Sequence, residues 1–115
     1  MTIQNLNEEC PKKITLKLLP PMMRGVELGK FSFGSGAINL LLSEGLDLSE
    51  ILSEMIVRHS VGDWGEVCKE DWQENNRAAA NGDRILSAYT VTNRKFWVIT
   101  EWDRSVTTVL LPEEY

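Results

Sequence analysis

The chain has 115 residues, of which 43% are hydrophobic and 25% are charged, a size and composition that fit one domain able to bury its own core. No segment reaches the roughly 18 consecutive apolar residues that a membrane-spanning helix needs, and the polar start MTIQNLNEECPKK lacks the apolar core of a secretory signal. We therefore expect a single domain over residues 1–115, located in the cytoplasm.

Negative charge is concentrated in one part of the chain. The net charge is -5, and residues 63–83 hold six acidic side chains against only Lys69 and Arg77. Because proteins bind phosphate backbones through clustered Lys and Arg, this distribution argues against direct binding of nucleic acid. It favours a basic protein as the partner.

The cysteines and the single histidine do not predict a metal site. Cys10 and Cys68 lack zinc-site spacing, and His59 alone cannot complete a tetrahedral site with them. We expect both cysteines to be free thiols in a reducing compartment, and no motif calls for a cofactor.

The first third of the chain predicts an arm, a strand and a loop. Residues 1–12 carry no periodicity and are expected to form a flexible arm. Residues 13–19, KITLKLL, alternate apolar and polar side chains as a half-buried strand does, and two prolines then end the strand. The glycine-punctuated residues 22–36 predict a loop over the core, which could include a short strand at residues 26–28.

Two helices with clear end signals follow. Ser35 can cap AINLLLSE, and Gly45 stands where that helix would end. Asp47 begins DLSEILSEMIVRH, with Glu50 three residues later as in a capping box, and Gly62 ends this second helix. Its apolar side chains recur at helical spacing on one stripe, namely Leu48, Ile51, Leu52, Met55 and Ile56.

A third, more polar helix is predicted from CKEDWQENNRAAAN. Gly82 is its expected C-cap, and Trp72 is its chief buried anchor. Asn75 and Asn76 are poor helix formers within it.

Three strands close the chain. Residues 84–91, 95–102 and 105–111 are rich in alternating, aromatic or β-branched side chains, and residues 92–94 and 103–105 supply turn chemistry. We predict an α+β fold in which a three-stranded antiparallel meander, with the N-terminal strand as a possible fourth, packs against about three helices. Both sides of the middle strand carry a tryptophan, so the alternation leaves open which side faces the core and suggests that both sides are covered or that a partner covers one.

The tryptophans and the acidic residues together predict a protein-binding surface. All four tryptophans lie in the second half of the chain, and we expect two of them in the core. Aromatic anchors beside steering charges are typical of protein interfaces. The residues assigned to the partner are Glu66, Glu70, Asp71, Glu74, Trp97 and Trp102.

His59 admits a catalytic and a structural interpretation. It can act as a general acid or base, with Asp63 orienting it, or it can be a helix-terminal residue whose positive form the helix dipole favours. In the catalytic interpretation Glu101 and Arg104 would join it as the second acid-base group and the phosphate-binding cation of a metal-independent ribonuclease. The structural alternative makes Asp103-Arg104-Ser105 a tight turn.

The FGSG segment, residues 33–36, precedes a helix whose N-terminus could hold an anion. It lacks the Lys-Ser/Thr of a phosphate loop, so its expected role is to let the backbone turn.

Three segments carry a resemblance to a known family: RHSVGDWG at residues 58–65, ILSAYT at 85–90 and ITEWDRSVTTVLLPEEY at 99–115. They are similar to an uncharacterised family of small bacterial proteins carried on plasmids and integrated elements, often described as plasmid-related proteins or type I restriction-modification subunits. Trp102 departs from the resemblance, which has a smaller residue there. The resemblance implies a mobile-element accessory protein, whereas a methyltransferase would need a cofactor-binding domain that this length cannot supply.

The sequence thus favours a non-enzymatic module that binds a basic protein, with an effect on host defence as one outcome. The alternative is a small ribonuclease or toxin-like enzyme that uses His59, Glu101 and Arg104.

Overall fold

The structure, a computed structural model, describes residues 26–115, and the predicted arm and first strand at residues 1–19 lie outside that range. Its fold is α+β, with three α-helices and a four-stranded mixed sheet. In chain order the elements are β1 (Lys30–Phe33), α1 (Ser35–Ser43), α2 (Leu48–Ser60), α3 (Lys69–Asn81), β2 (Ile85–Val91), β3 (Arg94–Thr100), β4 (Val106–Leu110) and a 3-10 turn (Pro112–Glu114). No helix in residues 26–115 is both long enough and apolar enough to cross a bilayer.

The sheet has the order β1-β4-β3-β2. Strands β2, β3 and β4 form the predicted antiparallel meander. The fourth described strand corrects the prediction, because β1 pairs with β4 in parallel, with Lys30 opposite Val106 and Phe33 opposite Val109. It occupies a stretch predicted as loop, while residues 26–28 form no strand. All four β1 residues are exposed, and the strand is held by backbone bonds to β4, which leave no burial pattern in the sequence.

Turn chemistry fixes the meander as predicted. Between β2 and β3, Thr92 and Asn93 both have positive φ, 46° and 68°, the backbone of a hairpin turn that matches strand twist. Between β3 and β4, the Asp103 carboxylate accepts from the Ser105 backbone N–H at 3.1 Å, and Arg104 has a φ of 60°.

The helix ends confirm the predicted signals with one exception. The Asp47 carboxylate accepts from the Glu50 backbone N–H at 3.2 Å, and Gly45 has a φ of 71° after the end of α1. Ser35 was expected as the cap of α1 but is its first residue; Gly34 is the cap and provides no side chain. Two N–H groups in the first turn of this helix, those of Gly36 and Ala37, instead donate to a carboxylate from a distant part of the chain.

The structure decides which side of the sheet is core. Helices α1 and α2 cover the face that carries Phe96 and Val98, and Met55 is the fully buried member of the predicted α2 stripe. The buried cluster comprises Ala37, Leu41, Met55, Tyr89, Val91, Phe96, Val98, Val109 and Leu111. Trp97 and Ile99 alternate onto the opposite face, which we call the second sheet face.

Helix α3 lies along the outer edge of β2. Residues Trp64 to Glu66 pair with that edge at Ala88, and the Asn75 amide of α3 continues the pairing by donating to the Leu86 carbonyl at 2.8 Å and accepting from its N–H at 3.3 Å. A small buried cluster of Trp64, Ala78 and Ile85 fills the space behind this contact.

Candidate interaction surface and the buried histidine

His59 is completely buried between α2 and the sheet, with 0% of its surface exposed. Its Nδ1 lies 2.6 Å from the Ser87 hydroxyl and its Nε2 lies 2.8 Å from the Thr100 hydroxyl. The Trp64 ring packs edge-on against the imidazole, with centroids 5.7 Å apart. Both ring nitrogens are therefore satisfied by neutral partners.

The His59–Thr100 hydrogen bond continues through Thr107 to the backbone carbonyl of Leu28, and this carbonyl sets the direction of the bonds, because it can only accept. Thr107 donates to the Leu28 carbonyl at 2.7 Å, so the Thr107 oxygen accepts from the Thr100 hydroxyl, 2.7 Å away. Since each hydroxyl has one proton to donate, Thr100 accepts from Nε2–H of His59. In a neutral imidazole the remaining nitrogen, Nδ1, carries no proton and accepts from the Ser87 hydroxyl.

The electrostatics agree with a neutral ring. Burial, and secondarily the Arg104 charge, lowers the pKa of His59 from 6.5 to about 3. His59 does lie in the last turn of α2, but its burial disfavours the positive form that the helix dipole would favour. Asp63 does not orient the ring; its carboxylate binds Arg58 at 2.8 Å, whose guanidinium stacks on Tyr89 at 4.4 Å.

Glu101 and Arg104 have other partners. Arg104 donates to the Ala78 carbonyl at 2.9 Å and so satisfies the C-terminal end of α3. The Glu101 carboxylate lies 3.8 Å from Arg84. Among the described residues, no hydrogen bond or ion pair links the side chain of His59 to that of Glu101 or Arg104. Arg104 does donate to the Glu101 backbone carbonyl at 3.1 Å, but the described residues show no direct bond that joins the three side chains.

Cys68 has a structural contact. Its exposed sulfur accepts from the Asp71 backbone N–H at 3.4 Å and so caps α3, whereas Cys10 lies outside the described range. Within residues 26–115, no group of three or more His, Cys, Asp or Glu side chains could hold a metal ion.

The second sheet face carries the aromatic part of the predicted surface. Trp97 lies on this face, and the Tyr115 ring packs against it edge-on with centroids 5.8 Å apart. The Arg84 guanidinium lies 4.9 Å from the centre of the Tyr115 ring. Helices α1 and α2 pack on the core face and α3 lies along the edge, so no described α-helix covers this face, although Ala88, Ile99 and Leu110 on it are each 8% exposed or less.

Glu66 borders the second sheet face at the hairpin end of β2. Its backbone N–H donates to the Ala88 carbonyl at 2.7 Å, which fixes its position on the strand edge. Its carboxylate accepts from the Thr90 hydroxyl at 2.7 Å and lies 3.7 Å from the Lys95 ammonium group. Thr90 and Lys95 are cross-strand partners on this face.

Asp71 and Glu74 border the same face from α3. They line a cleft of about 240 Å³ between the helix and the sheet, with Arg84 and Leu86 on its other side. Glu74 also binds Arg77 at 2.6 Å, with both side chains more than 60% exposed. Glu70 is exposed beside them in the first turn of α3.

The remaining tryptophans divide between interior and surface. Trp64 is 1% exposed, and its indole N–H donates to the side-chain amide oxygen of Asn76 at 2.9 Å. Trp72 is partly buried against the same cluster. Trp102 is 65% exposed in the turn after β3, five residues beyond Trp97.

Sequence reasoning missed the partner of the FGSG segment. The Glu114 carboxylate accepts from the backbone N–H of Gly36 at 2.6 Å, of Ala37 at 3.2 Å and of Leu111 at 2.8 Å. A Cβ at Gly34 or Gly36 would lie 2.5 or 2.8 Å from this carboxylate, so the glycines make room for it. The anion at the helix N-terminus is thus supplied by the chain itself, and the available signal was an acidic pair after a proline near residue 114.

Comparisons with protein-family models, curated proteins and solved structures found no match.

Proposed function

We propose that this protein is a non-enzymatic interaction module that binds a basic protein partner on the second sheet face. The observation that carries the proposal is one of position. Trp97 lies on a sheet face without a described α-helix, and three of the four predicted acidic residues border it, namely Glu66, Asp71 and Glu74. Glu70 and Trp102, the other two predicted partner residues, are also exposed.

The charges on this surface are available to a partner. Glu74 and Glu66 each lie near a basic side chain of the same molecule, Arg77 and Lys95 respectively. Such exposed pairs contribute about 0–1 kcal/mol, because water screens them and holding two long side chains costs entropy. A partner lysine or arginine can therefore replace the internal base at little cost.

The aromatic groups would provide the anchor. A tryptophan that loses its remaining exposure in a complex contributes more than the charges around it, while the charges steer association and select against acidic partners. The resemblance of the second half of the chain to plasmid-borne proteins supports a role as an accessory protein of a mobile element, with the partner in the cytoplasm of its host.

A charge-reversal experiment tests this proposal. The E70K/D71K variant changes two acids in the first turn of α3. The E44K/E50K variant makes the same change of charge at the C-cap of α1 and in the first turn of α2, the helices that pack on the core face. A partner recovered from cells and then purified should bind E70K/D71K about tenfold or more weakly than wild type, and its affinity should fall with added salt. Binding of E44K/E50K should be near that of wild type.

Equal losses in the two variants would show that only net charge matters and would contradict a specific surface. An affinity that does not change with salt would exclude the electrostatic role.

A further inference from the structure

Residues 112–115 run from the end of β4 to the second sheet face and contact α1, β3 and Arg84, the residue before β2. Glu114 binds the N-terminus of α1 through Gly36 and Ala37. Glu113 pairs with Arg94 of β3 at 2.9 Å. Tyr115 packs on Trp97 and under Arg84, whose guanidinium also donates to its hydroxyl.

We propose that Pro112–Tyr115 is a detachable clasp that covers Trp97 and competes with the basic partner for the second sheet face. This inference rests on the proposed function. When the clasp is closed, the Tyr115 ring packs against Trp97, and the Arg84 guanidinium lies over the Tyr115 ring. A partner that places its own aromatic or cationic group where Tyr115 contacts Trp97 must first displace the Tyr115 ring.

The contacts of the clasp are few, which is why it can open without unfolding the domain. Tyr115 is 66% exposed, and the Glu113 pair is exposed on both sides. Within the clasp, the Glu114 carboxylate makes the principal contact. It accepts three hydrogen bonds from the backbone N–H groups of Gly36, Ala37 and Leu111, and these bonds hold the turn in place. Segments with few buried contacts and one principal anchor open more readily than the core around them.

The opening of the clasp can be measured without any partner. E114Q removes the charge from the anchor, and E113Q is the matched control, because it removes a neighbouring carboxylate that makes no backbone bond. In ¹⁵N NMR spectra, E114Q should accelerate hydrogen exchange of the Gly36 and Ala37 amides by about tenfold or more. It should also shift the Trp97 indole signal toward its position in Y115A, whereas E113Q should leave both unchanged.

An E114Q variant with wild-type exchange and an unmoved Trp97 signal would overturn the clasp. The same measurement on Y115A separates the ring from the anchor, since Y115A should move the Trp97 signal and leave the Gly36 amide protected.

Competition is tested with nona-arginine as a defined basic probe. Titrations followed by NMR should give about fivefold tighter binding to E114Q and Y115A than to wild type or E113Q. Weaker binding to Y115A would overturn the competition, because Tyr115 would then be part of the contact. If the peptide perturbs the second sheet face in none of the four proteins, the proposed function fails together with the competition, while the exchange data still decide whether the clasp exists.

Discussion

At the scale of single residues, His59 shows how a buried polar group is accommodated. Its two nitrogens are bound by Ser87 and Thr100, and the bonds continue through Thr107 to the Leu28 carbonyl. This network joins α2, the three strands β2, β3 and β4, and the segment before β1. Such a network is stabilising only when every member is satisfied, because a buried donor or acceptor without a partner costs about 1–3 kcal/mol.

Replacing His59 with alanine should therefore be strongly destabilising. The substitution leaves a cavity and removes the partners of two buried hydroxyls, and we expect a loss of about 3–5 kcal/mol in the free energy of unfolding. Urea denaturation measures this loss as a lower midpoint. V57A, on the exposed side of the same helix, is the control and should change the midpoint little; equal effects of the two substitutions would contradict the buried network.

The lowered pKa of His59 predicts acid sensitivity. Because the pKa of His59 is about 3 in the folded state and that of an unperturbed histidine is 6.5, the folded state binds fewer protons than the unfolded state within this window. Stability should fall as the pH falls from 6.5 toward 3, with a slope approaching about 1.4 kcal/mol per pH unit. Denaturation of wild type and H59Q at several pH values isolates the contribution of His59 to the free energy of unfolding, since glutamine does not titrate. If stability falls with pH equally in both proteins, carboxylates alone cause the loss of stability.

At the scale of elements, α3 is positioned by two residues that weaken it as an isolated helix. Asn75 binds the Leu86 backbone and Asn76 binds the Trp64 indole. Their side chains complete the edge of β2 and satisfy a buried donor, so their tertiary contacts outweigh their poor propensity.

We predict that N75A destabilises the fold by about 1–3 kcal/mol, because it leaves the Leu86 N–H and carbonyl without partners. N81A, at the exposed end of the same helix, gains similar helix propensity without losing a sheet contact and should be neutral or slightly stabilising. Hydrogen exchange of the Leu86 amide locates the effect. A protected Leu86 amide in N75A would contradict the edge contact.

The junction of α1 with the C-terminal turn gives a second test at this scale. Gly to Ala normally favours a helix by up to about 1 kcal/mol, but at Gly36 the added Cβ would lie 2.8 Å from the Glu114 carboxylate. G36A alone should be destabilising, and in an E114A background it should be neutral or stabilising. A double-mutant cycle from urea denaturation should give a coupling of about 1 kcal/mol or more; additive effects would show that the two residues do not share space.

At the scale of the whole molecule, the two faces of the sheet have different roles. One face is filled by the buried cluster under α1 and α2. The other carries Trp97 with acidic residues at its border, and the C-terminal turn crosses it. The buried core and the proposed binding surface therefore lie on opposite sides of the same strands, since alternate side chains of each strand point to opposite faces.

Aromatic substitutions should separate these roles. W64A removes a buried ring and should cost about 3–5 kcal/mol in the free energy of unfolding. W102A removes an exposed ring and should change stability by less than about 0.5 kcal/mol while weakening partner binding. Denaturation and binding measured on the same preparations check both. A large loss of stability in W102A, or unchanged partner affinity, would remove this residue from the proposed surface.

Local signals in the sequence predicted most of the helices and the meander. Asp47, the left-handed glycines and the Thr92-Asn93 turn act through bonds to near neighbours, so their effect can be deduced from adjacent residues. Strand β1 was missed because its only support is backbone pairing with β4, more than seventy residues later.

The sequence by itself determined the α+β class, most helix ends, the hairpin turns and the acidic stretch, because each depends on contacts within a few residues or on composition. Only the tertiary structure decided which side of the sheet is buried, that His59 is neutral among hydroxyls, and that Glu114 occupies the start of α1. These features depend on side chains that are far apart in the sequence and meet only in the fold. The two-residue period of a strand or the 3.6-residue period of a helix does not show which distant group a side chain will contact.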